Sequence, residues 1–194
     1  MKSQSHTLLG KAMVCCFIAI GILSCSQQQE SSDDTQVEHR KSPIAIAAVN
    51  HQDTYIKVVY GQPYKRGRDI FGGLIGYGEV WRTGANEATE ITFTQPVSFA
   101  GKMVEPGTYS LFSIPDEEQW TIIINDELGQ WGAFDYNPDH DVLRVEVPVS
   151  EQQQTREAFT ISFPEDVNGE ETTMTMTWGD TKVEIPIGFN PDAG

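Results

Sequence analysis

Past Pro43 the chain alternates apolar and polar residues with a period of two, and it does so almost to its end. Successive side chains of a strand point to opposite faces, so this pattern describes strands with one wet face and one buried face. Ile56, Val58 and Tyr60 share one side of the segment 55–60, with Lys57 opposite. Thr89, Ile91 and Phe93 alternate with Glu90, Thr92 and Thr94, and Leu143, Val145 and Val147 with Arg144 and Glu146. Phe159, Ile161 and Phe163 alternate with Thr160 and Ser162, and Met174, Met176 and Trp178 with a threonine stripe at 173, 175 and 177. Val183, Ile185 and Ile187 close the series against Lys182 and Glu184. The segments 109–114 and 120–124 are apolar on both faces, as central strands are.

Turn chemistry falls between these runs, at Ala100-Gly101-Lys102, Glu105-Pro106-Gly107, Pro115-Asp116, Asn137-Pro138-Asp139 and Trp178-Gly179-Asp180. Pro106-Gly107 suits the two central positions of a type II turn. Helical apolar stripes longer than about two turns are missing from this part of the sequence. The expected fold is all-β: an antiparallel β-sandwich of about eight to ten strands with a long, glycine-rich ordered loop. It forms one domain over residues 43–189, followed by a short tail, 190–194.

The first residues read differently. Lys2 and Lys11 precede an apolar run from Ala12 to Leu23, interrupted by Gly21. A membrane-spanning helix needs about 20 apolar residues, and this run is too short. It has the layout of an export signal, 1–24, ending in Ile22-Leu23-Ser24-Cys25. That ending resembles the lipobox of bacterial lipoproteins, which implies acyl chains, palmitate among them, on Cys25. From Cys25 to Ser42 the residues are mostly Gln, Glu, Ser and Asp, the composition of a disordered tether. The expected location is the cell envelope, outside the cytoplasm, with inner or outer membrane left open. The membrane itself is the first expected partner, reached through the Cys25 lipid.

All three cysteines, Cys15, Cys16 and Cys25, lie in or at the end of the signal. The domain therefore contains no thiol for a disulfide, a zinc site, haem attachment or nucleophilic catalysis. The formal charge of −15 becomes −17 once residues 1–24, with Lys2 and Lys11 and no acids, are removed. So acidic a surface offers no stripe for phosphate backbones, and nucleic acid is excluded as a partner. No cofactor is indicated.

The segment 65–90 is the least regular part of the domain. It sets Gly67, Gly72, Gly73, Gly76, Gly78 and Gly84 among charged and aromatic residues. Two readings stay open. In one, the segment caps the end of the sandwich, with Phe71 and Trp81 in the core and its arginines paired to Glu79 or Glu87. In the other it is a ligand cleft: Trp81 and Tyr77 stack on a ligand, Arg68 and Arg82 fork its acceptors, and Asn86 and Glu87 orient it. Trp131, in Gly129-Gln130-Trp131-Gly132, is a further candidate for an exposed binding residue, whereas Trp120 opens a doubly apolar strand and reads as core. Phosphate-loop readings fail, because Gly73 stands where a lysine is required and Gly76-Tyr77-Gly78 lacks a third glycine.

At Tyr60-Gly61-Gln62-Pro63, Gly67-Arg68-Asp69-Ile70-Phe71-Gly72-Gly73-Leu74 and Tyr77-Gly78-Glu79-Val80-Trp81-Arg82-Thr83-Gly84-Ala85-Asn86-Glu87-Ala88-Thr89, the chain resembles domain-of-unknown-function family 2911. The likeness continues through Pro106-Gly107-Thr108-Tyr109-Ser110-Leu111-Phe112, Pro115, Trp120-Thr121, Gln130-Trp131-Gly132 and Asp141-Val142-Leu143, and covers roughly residues 42 to 187. It implies exported proteins and lipoproteins of Gram-negative bacteria, and brings no activity and no catalytic residues.

Chemistry has few candidates. Asp135, Asn137, Asp139 and Asp141 fall at alternate positions of a calcium loop, but His140 replaces the glycine that such a loop needs. The histidines after the signal, His39, His51 and His140, have no ligand-like spacing, and no Gly-x-Ser-x-Gly elbow occurs. Glu79, Glu87 and Glu90 are the carboxylates that could pair for glycosidic acid–base work. The leading expectation is a non-catalytic domain that binds a glycan, small molecule or protein. A glycan hydrolase using the 65–90 carboxylates is the alternative.

Overall fold

Among the described residues, nine antiparallel strands follow one another as the alternation requires. The computed structural model describes residues 40–167 and 169–189. Cys25, the signal, most of the tether and the tail lie outside the described residues. The strands are β1 (Ile44–His51), β2 (Thr54–Gly61), β3 (Thr89–Phe93), β4 (Val97–Phe99), β5 (Lys102–Val104), β6 (Gly107–Ile114), β7 (Gln119–Asn125), β8 (Asp141–Ser162) and β9 (Glu171–Gly188). They are hydrogen-bonded in the order β1-β2-β3-β6-β7-β8-β9-β4-β5. The all-β antiparallel class is thus as expected, but the pairing runs through one nine-stranded sheet.

The long β8 explains the continuity. Its first residues pair with β7 up to Pro148, and from Val149 onward it pairs with β9. The alternating segments 143–147 and 159–163 are therefore two parts of one strand. Likewise Trp178-Gly179-Asp180 is no chain reversal but lies inside β9. Gly179 takes φ +60° there, and the β8–β9 register shifts on either side of its partner Arg156. An irregularity of this kind bends a strand without ending it. Pro106-Gly107 also differs, since Gly107 already opens β6 opposite Phe93. The β4–β5 connection is a two-residue hairpin in which Ala100 and Gly101 take φ +48° and +81°, and Phe99 pairs with Lys102. Two consecutive positive φ values match the twist of the strands they join.

One core dominates. The inward residues of β2 and β3 meet Trp120, Ile122 and Ile124 of β7, Val145 of β8, and Met174, Met176 and Trp178 of β9. Strands far apart in that order meet across it, as Tyr60 of β2 shows: its hydroxyl accepts from the Ile161 backbone N–H of β8 at 3.0 Å. Each such residue fully buried contributes roughly 1.5–3 kcal/mol. Strands β6 and β7 are buried on their other face too, where Phe112 and Ile123 pack with Ala88. That second, small core creates the functional region, because loops and not strands cover it.

Candidate functional site

Two loops close over Phe112 and Ile123. The first is the end of the glycine-rich segment. Trp81 exchanges backbone hydrogen bonds with Ser113 of β6, at 2.7 and 2.9 Å, so the segment is tied to the strand edge at that point. Thr83 is fully buried and its hydroxyl lies 2.9 Å from that of Ser113. The Thr89 hydroxyl donates to Thr83 O, and the Ala85 N–H to Gly61 O. Gly61 admits no side chain here: a Cβ would sit 1.9 Å from Ala85 O.

These ties turn Trp81 inward. It is 4% exposed and stacks on Trp178 at 6.0 Å and 19°. Its ring also meets Phe159 at 5.0 Å and Trp120 at 5.9 Å edge-on, while its indole N–H donates to Gly84 O. A ring enclosed on its faces and satisfied at its polar edge cannot stack on a ligand. Of the two readings of Trp81, its burial fits the one that places it in the core beside Phe71. Phe71 joins the same cluster, 4.7 Å from Trp120.

The second loop, 126–140, hangs on Asn125. That fully buried side chain donates to Asn137 O and to Asp141 Oδ1, while its Oδ1 accepts from the Glu127 N–H. The Ser110 hydroxyl and the Gln130 amide both donate to Glu127 O. Gln130 O in turn accepts from the Ala88 N–H, and Glu87 and Trp131 form a bridge, which joins the two loops. Gln130 is thereby drawn in and its neighbour Trp131 is left out, 60% exposed. Leu128 is also exposed, and Phe134 is 83% exposed, an unusual cost for so large an apolar ring.

Arg82 lies beneath this loop. A methyl built on Gly132, itself at φ +79°, would approach the Phe134 ring at 2.9 Å and Arg82 Nη1 at 3.1 Å. The glycine thus lets the ring and the guanidinium flank one point. Arg82 is half-buried and, among the described residues, has no ion pair; its Nε has no hydrogen-bond partner. Burial pushes its pKa down. The site so formed is an open face carrying two aromatic rings and one uncompensated cation.

Other candidates disperse. Arg68 folds back on its own turn, donating to Tyr64 O and Lys65 O, and is paired to neither Glu79 nor Glu87. Tyr77 is exposed, its ring against Gly72, beside a shallow depression of about 270 Å³ that also takes in Lys65, Asp69 and Asp180. Asn86 sits at φ +67° in the turn before Glu87. The Glu87 carboxylate accepts a hydrogen bond from the guanidinium of Arg40, and that bond is the main cause of its lowered pKa. Glu87 and Glu90 share the rim of a second depression of about 190 Å³, lined also by Ile44 and Val59; Glu79 lies apart, exposed beside Gly76.

The calcium geometry is not formed. Asn137 caps a short 3-10 turn, Pro138–His140, by accepting from the Asp139 N–H. Asp141 is taken up by Tyr136, Arg144 and Asn125, at 2.7, 2.6 and 2.9 Å. Burial and the Asp141 carboxylate push the Tyr136 hydroxyl up to about 12. Asp135 and Asp139 are exposed, and among the described residues no three acid, histidine or cysteine side chains gather around one point. Among them, too, no helix is long and apolar enough to cross a membrane.

The stretches that tie the two loops to the sheet, around Trp81 to Thr89 and Gln130 to Gly132, fall within the match to one family, described as Protein of unknown function (DUF2911), over residues 42–187. The chain belongs to this family. No curated protein and no solved structure matches it. The family match spans every strand except the last residue of β9, and so includes both loops that close over Phe112. Phe134, which sequence reasoning left out, belongs to the same stretch. Its signal was present: Leu128, Trp131 and Phe134 recur between two strands where no period-two pattern requires them.

Proposed function

We propose that this chain is a lipid-anchored, extracytoplasmic binding domain without catalytic activity, whose ligand face is the 128–134 loop over Arg82. The observation that carries the binding reading is the pairing of an 83% exposed Phe134 with a half-buried guanidinium that, among the described residues, no carboxylate neutralises. Leaving a cation half-desolvated and unpaired is unfavourable. A ligand with an acceptor group would relieve that, while Phe134 and Trp131 offer rings to a flat apolar face. An open face of this kind suits a glycan, a small acid or a protein segment laid across it. The anchoring reading is carried by Lys2, Lys11, the apolar run 12–23 and Ile22-Leu23-Ser24-Cys25.

The hydrolase reading is weaker, because Glu87, in the pair with Glu90, is held below the ordinary carboxylate range by Arg40. That shift bars Glu87 from the general-acid role of such a pair, which leaves only Glu79 or Glu90 for it.

Both parts are testable. The purified protein should begin at Cys25 and carry acyl chains by mass spectrometry, and Cys25→Ser should release it from membranes. In a thermal-shift screen of glycans and small carboxylates, a ligand at about 100 times its Kd contributes ~2.7 kcal/mol and raises the midpoint by several degrees. Phe134→Ala and Trp131→Ala should remove that shift. A ligand whose shift survives both substitutions binds elsewhere and defeats the assignment.

A further inference from the structure

The cations of this acidic chain are unevenly placed. Of 13 Lys and Arg, Lys2 and Lys11 belong to residues 1–24, and five of the others are Arg40, Lys41, Lys65, Arg66 and Arg68. The fold brings these five together. Lys65 to Arg68 make a tight turn closed by the Arg68 N–H donating to Lys65 O at 3.1 Å, with Arg66 at φ +50° and Gly67 at φ +71°. Arg66 Nη2 donates to Lys41 O at 3.1 Å, which sets the turn against the residues where the tether enters the domain.

The bonding of these side chains is the informative part. Lys65 Nζ donates to Arg68 O, Arg68 to Tyr64 O and Lys65 O, and Arg66 to Lys41 O; all are neutral carbonyls. Arg40 alone of the five has an ion pair among the described residues, with Glu87. The acids nearby, besides Glu87, are Asp69, next in the chain, Asp180, which shares a depression with Lys65 and Asp69, and Glu157, whose carboxylate accepts the Arg66 backbone N–H. In a chain with 28 Asp and Glu, three cations, Lys65, Arg66 and Arg68, are thus held in place by backbone carbonyls, with Lys41 beside them, and none of the four has an ion pair among the described residues. Arg66, Gly67 and Arg68 are exposed, as are Lys41 and the apolar Ile44 and Ile46 that follow it.

We infer that this cluster is a membrane-facing surface that rests on anionic phospholipid headgroups and fixes how the domain sits on the bilayer. The inference rests on the anchoring reading. On the tether reading of residues 25–42 a chain of that length reaches on the order of 20–25 Å from Cys25, which keeps this end of the domain near the lipid surface. The rest of the domain is strongly acidic and is repelled by the same headgroups, so the basic turn is the face that can approach. Each cation removed should lower the headgroup-bound population about fivefold.

Hydrogen exchange of the full lipidated chain in vesicles tests this. With phosphatidylglycerol in phosphatidylcholine vesicles, amides of residues 62–70 should exchange more slowly than in phosphatidylcholine alone. Residues 100–107, at the opposite end of β6, should exchange alike in both. Lys41→Gln with Arg66→Gln should abolish the protection at an unchanged melting midpoint, and Arg66→Lys should keep it. Equal exchange in both vesicles, or equal protection in phosphatidylcholine alone, overturns the inference. So does release by inorganic phosphate at an ionic strength where chloride has no effect, which would make the cluster a free-anion site. Anchoring is read separately from the mass of the amino terminus. If Cys25 carries no lipid, coupling that thiol to a maleimide lipid restores the geometry, and the same exchange pattern decides the question.

Discussion

Trp81 and Trp131 leave neighbouring loops, each forms a single bridge, and their fates are opposite. Trp81 pairs with Ser113 on a central strand and enters a cluster of Trp120, Trp178, Phe71 and Phe159. Trp131 pairs with Glu87 on another loop and stands in solvent. Residue type and glycine-rich setting are the same in both. What differs is the partner: a strand with a core behind it draws the ring in, while a loop lying over a core already filled by Phe112 and Ile123 leaves it out. Aromatic residues in irregular segments thus divide into those that close a core and those left over once it is closed, and the second group is free for recognition.

This contrast breaks first if the two tryptophans cost the same to remove. Trp81→Ala should destabilise by about 3–5 kcal/mol in denaturant titrations, whereas Trp131→Ala and Phe134→Ala should stay within about 0.5 kcal/mol. Next, the tie that turns Trp81 inward includes the buried Thr83–Ser113 hydroxyl pair. Thr83→Val strands the Ser113 hydroxyl and should cost about 1–3 kcal/mol by the same titration. The Tyr136 hydroxyl holds the outer loop to Asp141 and Arg144. Tyr136→Phe should cost about 1–2 kcal/mol and raise amide exchange in residues 128–136 without touching the Trp81 cluster.

The smallest effect concerns pH. Glu87 has a lower pKa folded than unfolded, because Arg40 donates to it, so folding favours its charged form. Its contribution is complete above the unfolded value and disappears as pH falls through the ordinary carboxylate range to the lowered folded value. The side chain is 48% exposed, so solvent screening keeps this below about 1 kcal/mol. Stability of the native chain minus that of Glu87→Gln should therefore shrink on acidification. A difference that grows would mean the pair opposes folding.

Much of the fold could be read from the alternation. The inward residues of β2, β3 and β9 are buried as the period demands, and the doubly apolar segments became β6 and β7, with Leu111 and Phe112 in separate cores. The joining of segments into β9 was not legible, because a glycine at positive φ within a strand, Gly179, has the same composition as one in a turn, and that into β8 was not, because the polar stretch 150–157 inside it shows no alternation. The short β4 and β5 carry too few residues to show a period. In the candidate site, exposure of Trp131 followed from its glycine-flanked position. Inward packing of Trp81 was one of the two readings the residues allowed, but the choice between them was not legible, since it depends on Ser113, Trp120 and Trp178 arriving from distant strands. Arg82's lack of a carboxylate was hidden for the same reason, because Glu87 is claimed by Arg40 from the root of the tether.

Iodide quenching of tryptophan fluorescence tests the division most directly, since the chain has four tryptophans and three of them, Trp81, Trp120 and Trp178, are buried. The account predicts one quenchable fraction in the native protein, and its loss in Trp131→Phe. Quenching that survives in Trp131→Phe, or a native protein that iodide does not quench, would contradict it.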